Sequence, residues 1–169
     1  MAVEEVELLD DFWVFNVNAN PLGDLPRRLK TPASARKIPV HPELIRLGLL
    51  DFLKKPRKNR LIFPDAIADT HSVNVVFSDI YSKRLNRIIR EVGITDPAVV
   101  VHSLRHYCRQ ATKHAEIPIE AAKQIGGWTT GGDMAEHYGG GFSLKKLNKL
   151  MKRVKFKVLA GLEPRGFDK

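Results

Sequence analysis

The chain has 169 residues, 43% apolar and 28% charged, which suits one domain able to bury roughly 70% of its unfolded surface. It holds no apolar run long enough to span a bilayer and no signal-peptide pattern, and its one cysteine, Cys108, cannot make an internal disulfide. A reducing, cytoplasmic setting is expected. The net charge of +9 is uneven. Arg27 to Arg60 holds eleven Lys and Arg against Glu43 and Asp51, and Ser143 to Lys169 holds nine against Glu163 and Asp168. The first eleven residues carry five acids. Two basic zones fit either a polyanion partner or a solvated surface, and they lack the large apolar face that an interfacial membrane helix needs.

Aromatic and β-branched residues from Phe12 to Val17 predict a strand, and Asn18 to Pro26 reads as turn. Arg28 to Thr31 and Arg36 to Val40 look like two further strands joined by 32–35, giving a small antiparallel sheet with a basic hairpin. Pro39 suits an edge or a strand end. Pro42 opens a helix with Leu44, Ile45, Leu47, Leu49, Leu50, Phe52 and Leu53 on a broad apolar face. A basic loop from Lys54 to Arg60 follows, then a short apolar touch at 61–64 and a loop over 65–74. Ser78 is placed to cap the next helix, lined by Ile80, Leu85, Ile88, Ile89 and Val92 and closed by Gly93. Further helices are expected from His102 to about His114, from Pro118 to Ile125 and from Asp133 to Tyr138. A basic helix follows, striped by Leu144, Leu147, Leu150, Met151 and Val154. Phe156 to Leu159 reads as a short strand. The fold class is mainly α with a small N-terminal antiparallel sheet (α+β).

Four residues carry the chemistry. His102 and Arg105 stand three apart on a helix, so both reach one anion. Arginine offers a planar fork of donors matched to phosphate oxygens, and histidine donates or moves a proton near neutral pH. Trp128 donates through its indole N–H. Tyr138 is a nucleophile if helped to lose its proton, and the glycines around it (Gly131, Gly132, Gly139, Gly140, Gly141) give its segment freedom. Lys30, on the hairpin tip, could reach a leaving oxygen as an acid. Taken singly, each has a plainer role as a surface or packing residue. His102 and His106 share metal spacing, but no third ligand is evident and no metal is expected. His106 is expected to pack or hydrogen-bond within its helix. Cys108 is expected to be buried and inert.

In combination these residues resemble the catalytic domain of a tyrosine recombinase, the phage-integrase family. Leu29-Lys30-Thr31 through Arg36-Lys37-Ile38-Pro39-Val40 to Leu44 resembles the family's β-hairpin and next helix. His102-Ser103-Leu104-Arg105-His106 resembles its His-x-x-Arg motif. Gly127-Trp128 resembles its Gly-His/Trp position, and Tyr138-Gly139 its nucleophile. The match runs from Val3 to about Val154. The resemblance implies the fold of the DNA breaking-rejoining enzymes and site-specific recombination or integration. Tyr138 would attack a DNA phosphate to form a 3′-phosphotyrosine. Arg105, His102 and Trp128 would hold the non-bridging oxygens, and Lys30 would protonate the 5′ oxygen. No cofactor or metal is implied. The partners implied are double-stranded DNA and, for the full-length protein, a homotetramer on it, encoded by a bacterium, phage or mobile element. The segment after the nucleophile docks on a neighbouring protomer in many members, and here it is equally compatible with packing on its own domain. Arg28, Arg36, Lys37, Arg57, Lys58 and Arg60 are the candidate DNA contacts.

The chain departs from the family in lacking a match to its earlier arginine, in a Gly-x-Arg-x-x-Glu stretch, and to its N-terminal core-binding domain. The Trp128–Tyr138 gap is about one residue longer than usual. The expectation is a partial catalytic domain, inactive alone, with a sheet and hairpin over 1–40, a helical core with the site over 41–138 and a basic helix and tail over 139–169. A DNA-binding remnant without catalysis is the alternative.

Overall fold

The computed structural model describes residues 1–19, 29, 34–56, 60–63, 77–128 and 141–164. The expected strand at 28–31 with its connection, the loop at 65–74 and the helix at 133–138 lie wholly or mostly outside these residues.

Three antiparallel strands form the sheet in the order β1 (Val6–Leu9), β2 (Phe12–Val17) and β3 (Arg36–Pro39). Val6 faces Phe15 and Leu9 faces Phe12 across the first pair; Val14 faces Pro39 and Val17 faces Arg36 across the second. Strand β1 is a correction to the sequence reading, which placed no strand before Phe12. The acids before and within it, Glu4, Glu5 and Glu7, masked a four-residue strand in which only Val6 is buried while Leu8, on the same face, is exposed. The turn back is the two-residue Asp10–Asp11, with Asp10 in the left-handed region at φ 52°. Aspartate tolerates that conformation through local hydrogen bonding, but Asp-Asp lacks the glycine that marks such hairpins in a sequence. In β2 the alternation is clear, with Phe12 and Val14 buried.

The single helix expected after Pro42 is two, α1 (Pro42–Arg46) and α2 (Leu49–Lys54). Gly48 separates them at φ 94°, a conformation that ends one helix and starts the next at no cost to a residue without Cβ. Helix α3 (Phe77–Glu91) takes in Ser78, so that serine lies inside the first turn and does not precede it. Gly93 closes α3 as expected, at φ 89°, with Ile94 N–H bonded back to Ile89 O.

Helix α4 (Val101–His114) follows directly. Its start is fixed from α3. The Asn86 side chain accepts from Val101 N–H at 2.8 Å, and the Arg90 guanidinium donates to the carbonyls of Ile94, Asp96 and Val99. Ser103 Oγ accepts from Val100 N–H, satisfying another free donor of the first turn. Helix α5 (Ile119–Gly126) begins after Pro118, and α6 (Leu144–Met151) after Ser143, whose hydroxyl accepts from Lys146 N–H.

The core divides in two. One cluster joins α4, α5 and α6 through Ala111, Ile117, Ala121, Ala122, Leu147, Leu150 and Val154. The other sits under the sheet, with Val6, Val40 and Ile62 against Trp13, Phe15, Ile45 and Phe52. Strand β3 touches both α5 and α6 and so ties the layers together. The basic helix α6 therefore packs on its own domain, burying Leu147, Asn148, Leu150 and Met151.

The segment after α6 also turns back onto its own chain. Buried His41 donates from Nε2 to Val154 O at 2.9 Å while its Nδ1 accepts from Glu43 N–H, so a single neutral tautomer satisfies both bonds. Arg46 donates to the carbonyls of Leu159 and Leu162. The strand expected at 156–159 is instead a 3-10 turn over Lys157–Leu159. Among the described residues it has no neighbouring strand, and the local i→i+3 bonds from Leu159 and Ala160 are made instead.

Candidate functional site

Among the described residues, Arg105 and Trp128 come together, and His102 stands one helical turn before Arg105 on α4. Helix α4 buries only Ala111 and Thr112, near its C-terminal end. Its first turns, which carry His102 and Arg105, face outward. The His102 ring meets that of His106 edge-on, with centroids 5.2 Å apart. His106 is exposed, and this ring pair within the helix is the packing expected of it. Arg105 donates to Gly127 O at 3.4 Å, and its guanidinium carbon lies 5.2 Å from the centre of the Trp128 ring.

Trp128 reaches this place because of the two residues before it. Gly127 ends α5 in the left-handed region, at φ 60° and ψ 40°, with its N–H bonded to Lys123 O. A Cβ on Gly126 would lie 2.4 Å from the Trp128 ring, and one on Gly127 would lie 2.6 Å from the Arg36 guanidinium. The Gly-Gly-Trp sequence is thus a close-approach motif. The first glycine lets the indole fold over the helix end, and the second turns the chain beneath an arginine.

Arg36, a candidate DNA contact in the sequence, is half-buried and donates to backbone. It reaches Ile125 O at 3.3 Å, Ser34 O at 2.9 Å and Gly126 O at 3.5 Å. It caps the C-terminal carbonyls of α5, where a cation is favoured by the helix dipole. Burial lowers its pKa from the ordinary arginine value, and the positive charge of Arg105 lowers it further. Two guanidinium groups thus sit at the Gly126–Gly127 turn.

The other sequence candidates are distributed differently. Lys37 pairs with Glu7 at 3.0 Å, and Arg60 with Glu4 at 2.6 Å, both on the sheet side of the molecule. Asn16 and Lys37 hold the Glu7 carboxyl below the usual carboxylate range, the Asn16 hydrogen bond being the larger cause. Lys30, Tyr138, Arg28, Arg57 and Lys58 lie outside the described residues. Cys108 is exposed, which corrects the expectation of a buried thiol: the face of α4 that carries it is not covered. Desolvation raises its pKa nonetheless, against a smaller opposing pull from Arg105, so little thiolate forms near neutral pH.

The sequence reading missed Arg109, Lys113 and Lys123. With Arg105, Thr112, Ile117, Ile119, Ala122, Gly127 and Trp128 they line a pocket of about 390 Å³ between α4 and α5. The Arg109 guanidinium lies 5.9 Å from the centre of the Trp128 ring, so both Arg105 and Arg109 border the indole. The helical spacing of 105, 109 and 113 was the available signal. No three His, Cys, Asp or Glu side chains gather as a metal cage among the described residues. Comparison with family models, with curated proteins and with solved structures finds no match for this chain. What the geometry offers chemically is a group of guanidinium and ammonium donors beside an indole, suited to an anion.

Proposed function

We propose that this chain is part of a tyrosine recombinase catalytic domain, a DNA breaking-rejoining fold, and that it acts on double-stranded DNA in site-specific recombination or integration. The observation that carries the reading is the meeting of Arg105, one helical turn after His102 on α4, with Trp128 of the Gly-Gly-Trp segment, beside Arg36 of β3. Arg105, His102 and Trp128 hold the non-bridging oxygens of one DNA phosphate. Tyr138 attacks the phosphorus, forming a 3′-phosphotyrosine, and the proton supplied by Lys30 leaves with the 5′ hydroxyl. Attack by another 5′ hydroxyl reverses the step, so the energy of the broken bond is kept in the phosphotyrosine. Preorganised donors stabilise the charge that grows on the equatorial oxygens, and one missing donor costs about 10²–10³ in rate. No residue here matches the family's first arginine, so the chain alone is expected to cleave at least that much more slowly.

The test is covalent trapping. The chain, expressed with any in-frame sequence that precedes Met1, is incubated with a random library of nicked suicide duplexes and washed in detergent. Detergent-resistant DNA is expected, abolished by Tyr138→Phe and unaffected by chelators. DNA attachment that survives Tyr138→Phe refutes the reading. Binding without attachment favours the non-catalytic remnant.

A further inference from the structure

The pocket beside Trp128 reaches beyond the residues assigned to the reacting phosphate. Arg105, Arg109 and Lys113 follow one another at i, i+4 and i+8 on α4. Each step rises about 6 Å along the axis, comparable to the separation of neighbouring phosphates on one nucleic-acid strand. The i±4 row is inclined to the helix axis, so the three side chains form an oblique ridge. All three residues are exposed, and among the described residues no carboxylate pairs with any of them. Elsewhere in the molecule exposed cations do find acids, as in Lys54–Asp51, Arg60–Glu4, Arg87–Glu91 and Lys145–Asp10. The floor is apolar, with Ile117 and Ala122 buried, which excludes water from one side of a bound anion and strengthens its attraction to the ridge.

We propose that Arg109 and Lys113 extend the site into a track for two further phosphates of the same strand, with Trp128 dividing the reacting phosphate from the next. The proposal rests on the reading that Arg105 holds a DNA phosphate. It adds a binding register along α4 that lies outside the motifs carrying that reading.

The experiment measures affinity of the full chain for a fluorescent random-sequence duplex at several salt concentrations. Each phosphate contact on duplex DNA contributes about 0.9 to the slope of log affinity against log salt. Arg109→Gln with Lys113→Gln is expected to lower the slope by about 1.8, with circular dichroism and melting unchanged. The control, Lys149→Gln with Lys152→Gln on α6, is expected to leave it unchanged. Wild-type binding with an unchanged slope in the Arg109/Lys113 variant overturns the track alone. Failure of the wild-type chain to bind duplex at low salt overturns both the track and the recombinase reading. Slope loss together with failed Tyr138 trapping supports the track and removes the strand-transfer reading. Displacement of the duplex by micromolar inorganic pyrophosphate at constant ionic strength identifies a small-anion pocket and also overturns the strand track.

Discussion

Gly127→Ala tests the Arg36–Gly127 junction that sets the position of Trp128. Alanine at φ 60° costs about 1–2 kcal/mol as a left-handed non-glycine residue. The new Cβ would also lie 2.6 Å from the Arg36 guanidinium carbon. That group is the far end of a flexible side chain, so it moves away, but moving releases its bonds to Ile125 O and Gly126 O. Those bonds are long, at 3.3 and 3.5 Å, so together they are worth about 1–2 kcal/mol, less than two well-formed hydrogen bonds to a charged group. The total is about 2–4 kcal/mol, or a fall in melting temperature of roughly 5–15 °C for a chain of this size. Calorimetry on a double-mutant cycle separates the two parts. In an Arg36→Ala background the collision is gone, and Gly127→Ala should cost only the backbone share. A coupling energy of about 1–2 kcal/mol is expected. An equal cost in both backgrounds refutes the claim that Arg36 occupies the space above Gly127.

Three further outcomes follow from the packing and the charge pairs. Leu147→Ala removes a fully buried side chain where α4, α5 and α6 meet and should cost about 2–5 kcal/mol in urea denaturation; a loss below 1 kcal/mol would contradict that placement. The depressed folded pKa of Glu7 means that its ionised form stabilises the sheet above the unfolded carboxylate pKa. That contribution disappears as pH falls through the folded value. Wild type should therefore melt above Glu7→Gln at pH 7, with the gap closing in acid, and a gap independent of pH would count against the Lys37–Glu7–Asn16 group. Arg46→Ala should release the tail from the carbonyls of Leu159 and Leu162, so that limited proteolysis cuts near 157–162 faster while the rest of the chain resists.

The sequence by itself determined the α+β class, the strand at Phe12–Val17, the glycine stop of α3, the span of α4 and the amphipathic stripe of α6. Each rests on local rules: periodicity and a glycine stop. It also supplied the His102–Arg105 pair, because i and i+3 on a helix lie side by side wherever the helix sits. Tertiary structure decided what depends on partners distant in the chain. Strand β1 exists because Val6 and Leu9 find Phe15 and Phe12 across a turn that carries no glycine signal. Lys157–Leu159 is a 3-10 turn, and among the described residues no strand lies beside it to pair with. The break at Gly48 was visible as a residue but not as a turn, since an isolated glycine is also tolerated inside a helix. Arg36 reads in sequence as one more basic hairpin residue, and only the arrival of the α5 carbonyls turns it inward. The Arg105–Arg109–Lys113 ridge was written in the spacing of α4, but that it borders a pocket beside Trp128 depends on where α5 ends and on the left-handed turn at Gly127.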